Sequence, residues 1–252
     1  MRVAIQLYSL RQDCAKDFFG TLKSVADLGY DGVEFAGFYG KTPQEVREEL
    51  DKLGLGVAGS HTGFNATILW AYRKTVDFNK AIGNKNIIIP GVPGELRQGK
   101  DDWYQFASFL NELSAKLSKE GLRVGYHNHV DEFALLDGER PWDILGKNTK
   151  DVIMQLDVGH AVRALGSAEE ATGLIDKYPG RTLTIHVKDY SKTKGYNVIP
   201  GEGDVDWHKL FSACKRNGTE WLIIEQEEYP YQPPLETAKK ALENVRQILK
   251  TV

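Results

Sequence analysis

At 252 residues, with 41% hydrophobic and 27% charged side chains, the chain has the composition of an ordinary globular protein long enough to bury a full core. Its formal net charge of −3 excludes the basic footprint of an electrostatic nucleic-acid binder, so no nucleic-acid partner is expected. Two cysteines without metal-motif spacing, Cys14 and Cys214, exclude a disulfide framework, and no run approaches the ~18 apolar residues of a membrane span, so the expectation is a cytoplasmic protein with no membrane partner.

Short β-type runs alternate with amphipathic segments along the whole length, the pattern of an α/β protein with a parallel sheet. Strands are predicted to begin near Val3, Gly32, Leu55, Asn86, Leu122, Val152, Thr182 and Trp221. Their spacing of about 30 residues is that of a βα unit, and no linker-like stretch divides them. Asp17 to Gly29 reads as a helix with apolar Phe18, Leu22, Val25, Ala26 and Leu28, stopped by a glycine suited to a left-handed cap. Thr42-Pro43-Gln44-Glu45 opens the next helix with an N-cap threonine, a first-turn proline and a capping-box glutamate. Helices are further predicted over Asn65 to Ile82, Asp101 to Glu120, around Trp142 to Lys147, Ser167 to Tyr178, Asp206 to Asn217 and Leu235 to Leu249.

Eight strand-helix units over residues 1–252 predict an α/β fold of one domain, a single (β/α)8 TIM barrel. The competing doubly wound sheet would carry a glycine-rich phosphate turn after an early strand, whereas the first strand here runs into Tyr8-Ser9-Leu10-Arg11.

A barrel gathers the C-terminal ends of all its strands on one face. Strand 1 then contributes Gln6 and Tyr8, strand 2 Glu34 and strand 3 His61, while strand 4 ends without a titratable group. Strand 5 closes on Gly125-Tyr126-His127-Asn128-His129-Val130-Asp131-Glu132-Phe133, which packs two histidines and two carboxylates together. Strands 6, 7 and 8 end on Asp157, His186 and Glu225. One such residue alone is more often a cap or a surface group than a functional one. Together, acids and imidazoles at four neighbouring strand ends would crowd charge unless a cation neutralised it. Mixed oxygen and nitrogen donors suit Mn²⁺, Co²⁺, Fe²⁺ or Zn²⁺ better than Ca²⁺.

Five motifs recur in order: Gln6-Leu7-Tyr8-Ser9, Gly29-Tyr30-Asp31-Gly32-Val33-Glu34, Leu156-Asp157-Val158-Gly159-His160, His186-Val187-Lys188-Asp189 and Gly201-Glu202-Gly203-Asp204-Val205-Asp206-Trp207. On these residues the chain resembles the sugar phosphate isomerase/epimerase family with xylose-isomerase-like barrels, which includes inosose dehydratases, ketose 3-epimerases and hydroxypyruvate isomerases. The ordered set speaks to fold more than to activity, because one fold hosts many chemistries. The resemblance implies one divalent metal, Mn²⁺ first with Co²⁺, Fe²⁺, Zn²⁺ or Mg²⁺ as alternatives. Its implied ligands are a glutamate ending strand 5, an aspartate ending strand 6, a histidine ending strand 7 and a glutamate ending strand 8. Asp157, His186 and Glu225 fall on the last three positions. At strand 5, His127 stands where glutamate is expected and Glu132 is the nearest glutamate. Either could ligate; Glu132 is favoured, with His127 and His129 facing substrate.

A metal so placed would polarise a sugar carbonyl and stabilise an enediolate, with the base sought among Glu225, Glu34 and the strand-5 histidines. Lys188 either neutralises the developing oxyanion or pairs with Asp189 or Glu202. His160 would orient Asp157 or touch substrate, while His208 reads as a surface residue. Tyr8, Phe38, Tyr39, Phe64 and Trp70 either wall the pocket or belong to the core. The absence of a phosphate-binding cluster favours an unphosphorylated sugar as the small-molecule partner; a homo-oligomer is left open. The leading expectation is a metal-dependent isomerase or epimerase. The alternatives are a metal-dependent lyase or dehydratase acting on a keto-sugar, inosose or 3-keto-glycoside by β-elimination, an apurinic endonuclease-like enzyme, and a non-catalytic sugar-binding barrel.

Overall fold

In the computed structural model, which describes residues 1–252, eight parallel strands form a barrel: β1 Arg2–Gln6, β2 Gly32–Phe35, β3 Gly56–His61, β4 Asn86–Ile89, β5 Arg123–His127, β6 Ile153–Gln155, β7 Thr184–Val187 and β8 Trp221–Ile224. Consecutive strands pair in order, and β1 also pairs with β8. The remaining seam, between β6 and β7, is closed by a bridge between Asp157 and His186 and by His186 N–H donating to the Leu156 carbonyl at 2.9 Å. Two residues of the polar cluster therefore lie on the barrel's closing seam.

Around the strands lie α1 Arg11–Lys16, α2 Phe18–Leu28, α3 Pro43–Leu53, α4 Leu69–Ala81, α5 Lys100–Ser118, α6 Pro141–Asn148, α7 Val158–Leu165, α8 Ala168–Lys177, α9 Trp207–Arg216 and α10 Pro234–Leu249. Local chemistry sets their ends. Asp17 caps α2 by accepting from Gly20 N–H, and Gly29 terminates it at φ 92°. Thr42 and Glu45 form the capping box of α3.

Observed strands begin within two residues of their predicted starts, but two helical readings change. The segment from Asn65 to Ile82 is not one helix: a single 3-10 turn, Phe64–Thr67, is followed by extended Ile68 and by Leu69 at φ 50°, where α4 begins. A helix outside the predicted set, α7, opens after Asp157, because Asp157 Oδ1 accepts from His160 N–H at 2.9 Å and caps it, which places His160 in its first turn.

Side-chain alternation along each strand divides the interior. Outward residues such as Ile5, Val33, Ile87, Val124, Ile185 and Leu222 join the large apolar layer under the helices. Each such buried aliphatic side chain contributes roughly 1.5–3 kcal/mol. Inward residues form a small apolar plug, Ala4, Ala58, Trp221 and Ile223. Further along the same inward rows come Gln6, Glu34, Gln155, Thr184, His127 and His186, all buried.

Candidate metal centre

His127, Asp157, His186 and Glu225 bring one ligand atom each within 4.8 Å of one another, and all four are buried. They project from β5, the turn after β6, β7 and the end of β8. His186 Nδ1 lies 2.9 Å from Glu225 Oε2 and 3.9 Å from Asp157 Oδ2. Asp157 Oδ2 is buried and accepts no hydrogen bond, and the cation beside it is Lys188, with Nζ at 3.2 Å, which leaves the oxygen's hydrogen-bonding capacity unmet. The donor set, two imidazoles and two carboxylates, suits a borderline divalent ion.

Glu132, the favoured strand-5 ligand, lies elsewhere. It sits on a 3-10 turn, Asp131–Phe133, where Oε1 accepts from Tyr126 O–H at 2.6 Å and Oε2 from His129 N–H at 2.7 Å. Tyr126 and His127 are adjacent on β5, so they face opposite sides of the sheet. Tyr126 packs edge-on to Trp103 and Phe106 under the helices, and its hydroxyl holds Glu132 on that outer side. The side chain that joins the group is His127.

Glu34, Gln6 and His61 form the layer beneath. Glu34 is fully buried. Burial pushes its carboxyl up, but the imidazoles of His61 and His186 outweigh this and hold it below the usual range. His61 stacks on His186 with ring centroids 5.1 Å apart, and with His127 and His186 it makes a second, overlapping grouping of possible ligands. Burial and the two neighbouring rings keep His127 well below the ordinary histidine range, hence neutral and free to ligate. For His186, burial acts downward, but Glu34 and Glu225 raise it to about 10.

Lys188 reaches the same cluster from β7. Its Nζ lies 3.0 Å from Glu225 Oε2, 3.2 Å from Asp157 Oδ2 and 2.5 Å from Glu227 Oε1. The alternative pairing with Asp189 or Glu202 does not form. Glu202 accepts from Tyr231 O–H, and Asp189 accepts from the N–H groups of Tyr190, Gly201 and Gly203 and from Trp207 Nε1–H. Asp189 thereby staples the long β7–α9 loop to the barrel, and a Cβ on Gly203 would come within 2.2 Å of Asp189 Oδ1. That close approach is the physical content of the Gly201-Glu202-Gly203 motif.

The stapled loop delivers Tyr196, whose O–H lies 2.7 Å from His160 Nδ1. His160 Nε2 is 3.2 Å from Lys188 Nζ and 3.7 Å from Glu227 Oε1. His129, exposed, places its ring 5.1 Å from that of His160. A second polar lobe, His129, His160, Lys188, Tyr196 and Glu227, thus adjoins the ligand group. Burial pushes the Tyr196 phenol up to about 12.

Sequence reasoning missed Glu227 as a partner of Lys188, and it missed Tyr196, Gln155 and Asn128. Asn128, at the centre of the His-Asn-His motif, is fully buried; it accepts from Asp157 N–H at 2.9 Å and donates to the Asp157 carbonyl at 3.2 Å, pinning the end of β6 to that of β5. Its place between two histidines in His127-Asn128-His129 was the available signal. Tyr8 stands at the rim, 45% exposed, and Trp70 is 86% exposed, while Phe38, Tyr39 and Phe64 pack on the core. His208 is exposed, as expected.

Residues 22–248 match the model of the family described as xylose isomerase-like TIM barrel. An inosose dehydratase of Clostridium perfringens is 25% identical over 266 residues, covering 90% of this chain and 88% of the relative. A sugar phosphate isomerase/epimerase from Parabacteroides distasonis superposes with a TM-score of 0.84 at 21% identity, covering 98% of this chain and 95% of that one. An L-ribulose 3-epimerase does so with a TM-score of 0.72 at 14% identity, over 99% and 95% of the two chains. The chain belongs to the xylose isomerase-like TIM barrel family.

Proposed function

We propose that the protein is a divalent-metal-dependent enzyme that abstracts a proton beside the carbonyl of a small sugar or sugar derivative, with isomerisation or epimerisation as the outcome. The observation that carries this reading is the convergence of His127, Asp157, His186 and Glu225 within 4.8 Å, with Asp157 Oδ2 accepting no hydrogen bond. These four would hold the ion, Mn²⁺ being our first choice. Bound there, it would supply Lewis-acid polarisation of a carbonyl.

The chain's own groups supply the rest. Lys188 Nζ, within 3.0 Å of Glu225, offers fixed positive charge to an oxygen that becomes anionic. Its charge is secure: burial alone would lower its pKa, but Asp157, Glu225 and Glu227 raise it well above the usual lysine value. Glu225 is held well below the carboxylate range, by Lys188 and His186 against the upward push of burial, so it is a poor general base as it stands. The imidazole of His129, exposed beside the His160 ring, is better placed to exchange a proton with a substrate.

A second reading, β-elimination by a lyase or dehydratase on a keto-sugar, inosose or 3-keto-glycoside, is favoured by the lobe of His160 and Tyr196 beside Lys188. It supplies acids for a departing oxygen next to the site of proton loss. The inosose dehydratase relative supports the same reading.

The test is to incubate metal-loaded protein in D2O with ketoses, inososes and 3-keto-glucosides. Interconversion with deuterium uptake supports the first reading, and loss of water or aglycone the second. Failure to bind any divalent ion would overturn both.

A further inference from the structure

Glu34 is fully buried, and four donors converge on it. Its Oε2 lies 2.6 Å from His186 Nε2, 2.8 Å from Gln6 Nε2 and 3.2 Å from His61 Nε2, and its Oε1 is 2.7 Å from Gln155 Nε2. The fold makes room for it at Gly59, where a Cβ would stand 2.7 Å from Glu34 Oε1.

An ionised carboxylate can only accept hydrogen bonds. His186 must therefore carry a hydrogen on Nε2. Gln155 must turn its amide NH₂ toward Glu34, and the same nitrogen also donates to Thr184 Oγ1 at 2.9 Å. The Gln155 carbonyl oxygen is then left facing two rings, at 2.9 Å from His61 Nε2 and 3.2 Å from His127 Nδ1. A carbonyl also only accepts, so His127 carries its hydrogen on Nδ1. An imidazole that ligates an ion keeps one N–H, so the nitrogens left for the ion are Nδ1 of His186, which faces Glu225 and Asp157, and Nε2 of His127.

We propose that Glu34 is a positioning residue that fixes His186 directly and His127 through Gln155, so that the ion is ligated by Nδ1 of the first and Nε2 of the second. This rests on the metal-dependent reading above. It explains why a carboxylate and two glutamines are buried beneath the site, and it gives opposite ring nitrogens to two histidines of one group. An outer carboxylate or amide partner of this kind is how ligating imidazoles are commonly oriented.

The test is long-range ¹H–¹⁵N correlation of the histidine side chains, in metal-free and Zn²⁺-loaded protein, joined to Zn²⁺ affinity by chelator competition. In the wild type, His127 is expected protonated on Nδ1 in both forms, and His186 on Nε2 in the loaded form. Glu34→Gln and Gln155→Met should each weaken Zn²⁺ binding by about 10- to 100-fold. Gln155→Met should also scramble the His127 tautomer while leaving that of His186 in place, a split that loss of packing alone would not produce. If Glu34→Gln does not fold, the wild-type and Gln155→Met spectra decide. His127 protonated on Nε2 in the wild type, or unchanged affinity and tautomers in both variants, would overturn the proposal. Wild-type protein that binds no Zn²⁺ would sink the metal-dependent reading and the ligation with it. A wild type that binds Zn²⁺ with the other nitrogens would sink only the relay.

Discussion

Lys188 Nζ lies 3.0 Å from Glu225 Oε2 and 3.2 Å from Asp157 Oδ2, so the ligand group already holds one cation of the chain's own. That ammonium neutralises the carboxylates in the absence of an ion and repels an incoming one. Lys188→Met is therefore expected to cost the chelated protein about 3–5 kcal/mol, the effect of leaving buried charge unpaired. The same change should tighten binding of Mn²⁺ and lower turnover by about 10²- to 10³-fold, as loss of one electrostatic stabiliser does. Melting curves with and without Mn²⁺, titration calorimetry and kcat would check the three effects separately.

Glu132→Ala should separate a structural role from a ligand role. It removes the acceptor of the Tyr126 hydroxyl and of His129 N–H, and hydrogen bonds to a charged group are worth about 1.5–3 kcal/mol each. The expected outcome is a marked fall in Tm with bound metal unchanged at one ion per chain. Loss of the ion in a variant that remains folded would return Glu132 to the ligand set.

The barrel and most of the residues that converge as candidate ligands were legible because their signals are periodic. Strand starts followed from alternating apolar runs, and Asp157, His186 and Glu225 each end such a run. The choice between His127 and Glu132 was not legible, because it is made by Tyr126, an outward-facing residue whose hydroxyl captures Glu132 from across the strand. Helix α7 was hidden because Asp157 serves at once as strand end and helix cap. Gln155 and Asn128 were passed over because neutral amides give no titratable signal, although their hydrogen-bonding capacity is what arranges the charged groups around them.

The raised pKa of His186 makes the metal-free protein sensitive to alkali. Its folded value of about 10 lies above the ordinary unfolded value near 6.5. The associated stability is fully present below the unfolded value and is lost as pH rises through the folded one. Chelated protein should therefore lose Tm between about pH 6.5 and pH 10, and His186→Gln should flatten that dependence. Metal binding runs the other way, since ligation displaces the proton from Nδ1, so Mn²⁺ affinity should rise with pH over the same window. A Tm of the chelated wild type that climbs toward pH 10 would contradict the assignment.

His127 stands where the family resemblance leads one to expect glutamate, and His127→Glu tests what that departure does. The substitution would put a third carboxylate beside Asp157 and Glu225 in a site that Lys188 and His186 neutralise only in part. Without metal, like charges at this spacing cannot all ionise comfortably, so the chelated variant should melt lower than wild type and show a larger metal-induced rise in Tm. With metal, three carboxylates and one imidazole make a harder donor set than two and two, so relative affinity should shift from Zn²⁺ and Co²⁺ toward Mn²⁺ and Mg²⁺. The Gln155 carbonyl would meanwhile lose one of its two ring partners, His127 Nδ1 at 3.2 Å, and keep His61 Nε2 at 2.9 Å, which sets a cost independent of the metal. Competition binding of Zn²⁺ against Mn²⁺ measures the shift, and an unchanged preference would mean that residue 127 does not touch the ion.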